Sequence, residues 1–456
     1  MFDLLIENGR LVMPDGIVRK SMAVKDGRIA AIFPSQKNVD AKHTVDAKDC
    51  FILPGVIDDH THFDEPGYTE WEDFFHGSRA AAKGGVTTIL DMPLNNVPPV
   101  TSAVRLQKKA ALALGKSYVD FGLWGALIRT NRKDLPDLAE AGAIAYKCFM
   151  CDAGSDYTDL NLEEIADRLQ VLKQLGGLAG FHCEDFQMLK DSEEQCLREG
   201  KKARQDYLNV HSIASEKKAV SDLIDVVRNT GARAHICHVS HPDVAELIAE
   251  AKREGLHITA ETCPQYLLLR DTDYLKRGAI FKCSPPLRSE TARKQLWQYV
   301  ADGTIDTVAS DHSPCTLARK DESGLKGAFG AWGGLSGVQT TLQGFWNLAV
   351  HEHEASPLLV AKVLAENPAK IFGLWGRKGA LLPGFDADFV LLDAQRDWEI
   401  KAKQLEYLNK FSAFVGLTGQ GLPVATYLRG QCIYEDGSFP AAPQGKFVLA
   451  KGHPVI

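Results

Sequence analysis

Between about residue 50 and residue 375, short runs rich in Val, Ile, Phe and Ala alternate with longer amphipathic stretches. That alternation predicts βαβ units and a parallel sheet buried on both faces. Eight such runs occur: "FILPGVIDDHTH", "GVTTILDMP", "VDFGLWGAL", "AIAYKCFM", "GLAGFHCE", "RAHICHVS", "HITAETCP" and "IDTVASDH". Helical stretches separate them, among them "WEDFFHGSRAAAKGG" and "VAELIAEAKREG", the second keeping Val244, Leu247, Ile248 and Ala251 on one face. Eight strand-helix units predict an α/β fold, a (β/α)8 TIM barrel.

The pattern changes at both ends. "DLLIENGRLVMPDGIVRKSMAVKDGRIAAIFP" consists of short alternating runs broken by Asn-Gly and Asp-Gly, the turn chemistry of antiparallel hairpins. "GALLPGFDADFVLLD" and "ATYLRGQCIYEDGS" repeat that style near the C-terminus. The expected organisation is therefore a small composite β-sandwich from residues 1–52 and 375–456, flanking a catalytic barrel over 53–374.

A length of 456 residues accommodates two cores, because single cores stop growing at roughly 250–300 residues. The net charge of -7 comes from scattered charges of both signs, with no basic stripe, which argues against a nucleic-acid partner. The ten cysteines have no zinc-ribbon spacing, and several sit in apolar runs, so they read as reduced thiols. The N-terminal stretch has no basic start and is interrupted by acids, and no apolar run reaches the roughly 18 residues that span a bilayer. A soluble, cytoplasmic protein without membrane contact is expected.

Candidate chemistry follows from the strand ends, where a barrel of this kind gathers its catalytic groups. His60 and His62 close the first run, and a spacing of two puts them on one face of a strand. The pair reads either as ligands of a divalent ion or as hydrogen-bonded strand-end histidines. Lys147 lies in the fourth run, where an ammonium costs several kcal/mol unless it is paired or changes chemistry. If desolvation lowers its pKa, the amine can capture CO2 as a carbamate able to bridge two cations; otherwise the side chain snorkels to solvent. His182, His238 and Asp311 fall near the ends of runs five, six and eight. Each has a bland reading, as core histidine or helix cap, yet all six occupy the places where a barrel would converge them. His235 and His241 do not share the face of His238 and read as structural.

With those residues in view, the chain resembles the cyclic amidohydrolases of the amidohydrolase superfamily, and within them the allantoinase family. "PGVIDDHTHFDEPG", "GGVTTILDMPLN", "YKCFM", "HCE", "ICHVS", "ETCPQYL", "KCSPPLR", "SDHSPC", "AWGGLSG" and "NPAKIFGLWGRKGALLPGFDADFVLLD" carry the likeness along its whole length. The resemblance implies two divalent metal ions per subunit. His60, His62 and Asp311 would hold the first, His182 and His238 the second, and carboxylated Lys147 would bridge them. Zinc is expected, with Co, Mn, Fe or Ni also compatible with such N/O ligands. It also implies a metal-activated bridging hydroxide that opens a cyclic amide, with Asp311 as the catalytic proton carrier and His312 and Glu184 orienting the ligands. A small cyclic ureide as substrate and a homotetrameric state complete the implied picture.

Within that superfamily, three activities compete. Dihydroorotases resemble this region but place Arg two residues after the second histidine, where this chain has Asp64. A carboxylate there would repel the substrate's own carboxylate. Hydantoinases and dihydropyrimidinases resemble it too, but they carry Tyr in the loop after the lysine strand, where this chain has Cys151 and Asp152. Hydrolysis of allantoin to allantoate, a step of purine (ureide) catabolism, is the expected reaction. Hydantoin or dihydropyrimidine hydrolysis is the alternative, and a catalytically inactive scaffold a second. Ser313, Ser284, Asp64 and Asn95 are the candidate substrate contacts. Residues 315–330, rich in Gly and charge, admit two readings, a lid over the pocket or an ordinary surface loop.

Overall fold

The computed structural model describes residues 1–34, 39–154 and 156–450. Each of the eight apolar runs yields a strand: Val56–Thr61, Val86–Asp91, Asp120–Leu123, Tyr146–Phe149, Ala179–His182, Ala234–Ile236, Ile258–Thr262 and Thr307–Val308. Neighbours pair in parallel, for example Lys147 opposite Gly180 and His235 opposite Thr259. The third strand breaks at Trp124. Its first part pairs with the second barrel strand, and its continuation, Gly125–Ala126, pairs with the fourth. Closure of the barrel comes between the eighth and first strands, where the His62 N–H donates to the His312 carbonyl at 2.8 Å. The result is a (β/α)8 barrel.

Helices cover the outside as the periodicity predicts. Phe74–Lys83 starts at Asp73, whose carboxylate accepts from the His76 N–H, and it buries Phe74, Ser78 and Ala80–Ala82. Pro242–Arg253 buries Val244, Ala245, Ile248 and Ala251, while Leu247 is only half-buried.

The first apolar run serves two bodies. Phe51–Pro54 pairs antiparallel with Phe389–Glu399 in a six-stranded sheet, and Val56–Thr61 opens the barrel. Gly55 alone separates them. Its N–H donates to the Asp388 carbonyl at 2.9 Å, and a side chain there would run into Thr87. A four-stranded sheet built from Phe2–Glu7, Ser21–Lys25, Arg28–Phe33 and Ala41–Asp46 packs against the six-stranded one. Leu4, Ile6, Met22, Val24 and Ile29 meet Ile52, Phe389, Leu391 and Tyr427 in their common core. The Asp26-Gly27 turn has φ of 50° and 76°, the left-handed pair that a two-residue hairpin demands. The chain leaves the sandwich again near its end: Gly445 bonds Ser117, and Val448 bonds Phe121, alongside the third barrel strand.

A buried ion cluster ties sandwich to barrel. The Lys378 ammonium reaches Asp120 of the third barrel strand at 2.8 Å, Asp388 at 2.5 Å and Asp386 at 3.5 Å, and the Arg429 guanidinium also donates to Asp120. No helix among the described residues is long and apolar enough to cross a membrane.

Candidate metal centre

All six sequence-predicted ligands line one pocket of about 550 Å³ at the C-terminal ends of the barrel strands. His60, Lys147 and His182 lie within strands, and His62, His238 and Asp311 follow just after strand ends. His238 and Asp311 have φ of 39° and 43°, a left-handed backbone uncommon for either residue and a frequent mark of functional sites. Ring centroids run from His62 to His60 at 5.3 Å, His60 to His238 at 5.5 Å and His238 to His182 at 4.6 Å. Asp311 Oδ1 lies 3.3 Å from His60 Nε2 and 3.4 Å from His62 Nε2. One donor atom from each of these three falls within 4.8 Å of the others.

The donor set fits divalent cations. Among the described residues His62 Nδ1, His238 Nδ1 and Lys147 Nζ are buried without a hydrogen-bond partner, which a polar group in a protein interior rarely tolerates. Two carboxylates fix the remaining imidazoles. His60 Nδ1–H donates to Glu261 at 2.6 Å, and His182 Nε2–H donates to Glu184 at 2.7 Å, so in each ring the other nitrogen is left as a ligand. Glu184 also accepts from His211 at 2.8 Å, and Glu261 accepts from the His238 N–H at 3.1 Å. Burial pushes the His62 pKa down to about 4, and His238 well below the usual imidazole range. Both are therefore neutral donors at pH 7.

Glu261 was not visible as a site residue in the sequence, because it sits inside an apolar run and its partner is 201 positions away. Glu184 meets His182 as expected. His312 acts differently: its carbonyl holds the His62 backbone, while its ring accepts from the Gly337 N–H at 3.2 Å. The drop expected in the Lys147 pKa is not found. Burial lowers it, but Cys237, Glu261 and Asp311 together outweigh burial and hold it above the ordinary lysine value. His235 is structural, with Nδ1 against Thr259 at 2.8 Å and Nε2 facing Glu261, and His241 caps the helix Pro242–Arg253 through Nδ1.

Of the four candidate substrate contacts, Asn95, Ser284 and Ser313 line the pocket. Asp64 does not line it and is fully buried. The first barrel strand ends at Thr61, so alternation stops there. The Phe63 N–H then bonds Asp91, and the Asp64 N–H bonds Glu72. Burial and then Asp91 push the Asp64 carboxyl well above the usual range, with Lys109 acting the other way. An aromatic residue does enter the wall after the lysine strand, further along the loop than Cys151 and Asp152. Tyr157 lines the pocket with its hydroxyl donating to the Lys147 carbonyl at 2.5 Å, and Asp152 lines it too. Residues 315–330 run along the rim. Arg319, Phe329 and Gly330 face the pocket, and Lys320 is buried beneath.

A profile of the Amidohydrolase family matches residues 51–433. Allantoinase from Escherichia coli O1:K1 / APEC is 37% identical over 454 residues, covering 98% of this chain and 99% of that protein. Allantoinase from Escherichia coli strain K12 / DH10B is 36% identical over the same length. Among solved structures, L-hydantoinase (dihydropyrimidinase) from Arthrobacter aurescens superposes with a TM-score of 0.95 at 32% identity, covering 98% of this chain and 100% of that one. Dihydropyrimidinase from Brevibacillus agri NCHU1002 gives 0.92 at 27% identity, with 100% of each chain covered.

Proposed function

The chain belongs to the amidohydrolase family, and from that premise we propose that it is a metal-dependent cyclic amidohydrolase that opens the ring of allantoin to give allantoate. The observation that carries the chemistry is the convergence of His60, His62, Lys147, His182, His238 and Asp311 on one pocket, with the Lys147 amine buried and without a hydrogen-bond partner among the described residues. In this reading His60, His62 and Asp311 would hold one divalent ion, His182 and His238 would hold a second, and Lys147, as its carbamate, would be a ligand to both. Zinc is the metal proposed. Bound cations would supply a water acidic enough to ionise near neutral pH and would polarise the ring carbonyl.

The protein's own groups do the rest. Asp311, within reach of both His60 and His62, accepts the proton of the attacking water on a carboxylate oxygen and returns it to the leaving ring nitrogen. Ser284, Ser313 and Asn95, which line the pocket, offer hydrogen bonds to the planar ring and its ureido arm. Glu261 and Glu184 keep the rings of His60 and His182 from rotating. Likeness to two allantoinases over nearly the full chain supports the substrate. Domain limits of 1–52 with 375–456, and 53–374, and a homotetramer in the cytoplasm, are part of the same proposal.

Enzyme expressed with added metal and bicarbonate should open allantoin with a higher kcat/KM than hydantoin, dihydrouracil or dihydroorotate. A higher value for hydantoin or dihydrouracil would favour the second reading, hydantoinase, to which the 0.95 TM-score and Tyr157 in the wall lend support. Fewer than one ion per chain with no turnover would favour a scaffold.

A further inference from the structure

Lys282 in "KCSPPLR" and Lys320 in "ARKDES" are both buried, and neither ammonium forms an ion pair among the described residues. Both instead gather backbone carbonyls. Lys282 Nζ donates to Ala331 at 2.6 Å and Phe329 at 3.3 Å. Lys320 Nζ donates to Gly334 at 2.6 Å, Trp332 at 3.0 Å and the Lys282 carbonyl at 3.4 Å. One turn, Phe329–Gly334, thus has four of its carbonyls held by two cations. The Tyr207 ring lies 4.3 Å from the Lys282 ammonium, and its hydroxyl bonds Ser284.

The opposite side of this turn meets the two serines. A Cβ on Gly333 would lie 3.2 Å from Ser284 Oγ, and one on Gly334 would collide with Ser313. Trp332 Nε1–H donates to the Ser313 carbonyl at 3.2 Å, and its ring packs edge-on against Trp71 at 4.8 Å. Ala331, Trp332 and Gly333 line the pocket. We propose that Lys282 and Lys320 are positioning residues, which clamp the Phe329–Gly334 turn between Ser284 and Ser313 and thereby set the affinity for the cyclic amide and the choice among such amides. This rests on the substrate roles given above to the two serines.

An apolar residue at either position would leave carbonyls buried without donors, so the clamp cannot be replaced by simple packing. Burial, and for Lys282 the neighbouring Lys320, holds the Lys282 pKa down to about 7 and burial that of Lys320 to about 8, so the hydrogen bonds to the carbonyls, and not a permanent charge, are what each side chain contributes. The titratable groups that face the pair are Glu193, Glu322, Cys283, Cys315 and Tyr207.

Lys282→Met and Lys320→Met should each raise KM for allantoin tenfold or more, with kcat changed less than about threefold and metal content unchanged. The ratio of kcat/KM for allantoin over hydantoin should fall in parallel. Amide hydrogen exchange over residues 327–335 should quicken tenfold relative to the rest of the chain. A lowered kcat with KM unchanged, or unaltered exchange over that turn, overturns the proposal. Should the variants fail to fold, the unaltered enzyme provides a second test. Amide exchange over residues 329–334 should be at least about tenfold slower than over the exposed stretch 321–326, and exchange as fast as in that stretch refutes the clamp. If the enzyme does not open allantoin at all, the substrate assignment fails, while the exchange measurement still tests the lysines.

Discussion

Two lysines, Lys147 and Lys378, are only 1% and 2% exposed, yet their surroundings differ. Lys378 sits at the junction of barrel and sandwich with Asp120, Asp388 and Asp386 around it, and Arg429 shares Asp120. Lys147 stands in the barrel mouth with no hydrogen-bond partner for its Nζ among the described residues. The first arrangement is a neutralised ionic joint. The second holds an ammonium beside two imidazoles, His62 and His238, each with an Nδ1 that also lacks a hydrogen-bond partner among the described residues. Burial alone therefore does not distinguish structure from chemistry, whereas the completeness of hydrogen bonding does.

Breaking the two sites should give opposite results. Lys147→Ala should lower kcat/KM for allantoin by at least about 10³, the order of the several kcal/mol a metal centre supplies. Its thermal unfolding should stay near that of the parent protein, and calorimetry checks this. Lys378→Met should destabilise by about 3–5 kcal/mol, because buried carboxylates lose their cation. Activity per folded molecule should survive, as urea titration with parallel assays would measure. Equal effects of the two substitutions on activity would erase the distinction between the two lysines.

Two smaller perturbations sharpen it. Glu261→Gln should weaken metal retention roughly 10- to 100-fold, since the His60 ring loses its orienting carboxylate. Competition with a chelator reads this directly. The least effect is expected from His241, which does not line the pocket and whose pKa burial lowers from 6.5 to about 4. Between those values the unfolded chain binds more protons than the folded one, so stability rises with pH from 4 to 6.5. His241→Asn, which keeps a capping side chain, should flatten that slope slightly in pH-dependent urea melts.

The six candidate ligands were legible because barrel geometry ties function to strand ends, and strand ends are visible as breaks in apolar runs. Position alone left His62 and Asp311 with bland readings as well, and their convergence with the other four on one pocket is what the structure adds. Glu261 was hidden because its meaning depends on a partner across the barrel, which no local period encodes. Asp64 misled for a related reason: the strand ends at Thr61, and beyond it the Phe63 and Asp64 N–H groups bond Asp91 and Glu72, so strand alternation does not carry Asp64 to the pocket. Tyr157 and Lys282 come from loops and Lys320 from a single 3-10 turn, where side-chain direction follows tertiary contacts and not period. The sandwich was legible in its hairpins, since Asp26-Gly27 states its own turn, but the return of residues 445–448 to the barrel was not.

Gly55 is the whole of the connection between the sandwich strand Phe51–Pro54 and the strand that bears His60. A one-residue joint leaves no slack, so the sandwich cannot be pared away or exchanged as an independent module. Any rescue of a truncated barrel would first have to supply a new anchor for the upstream end of that strand.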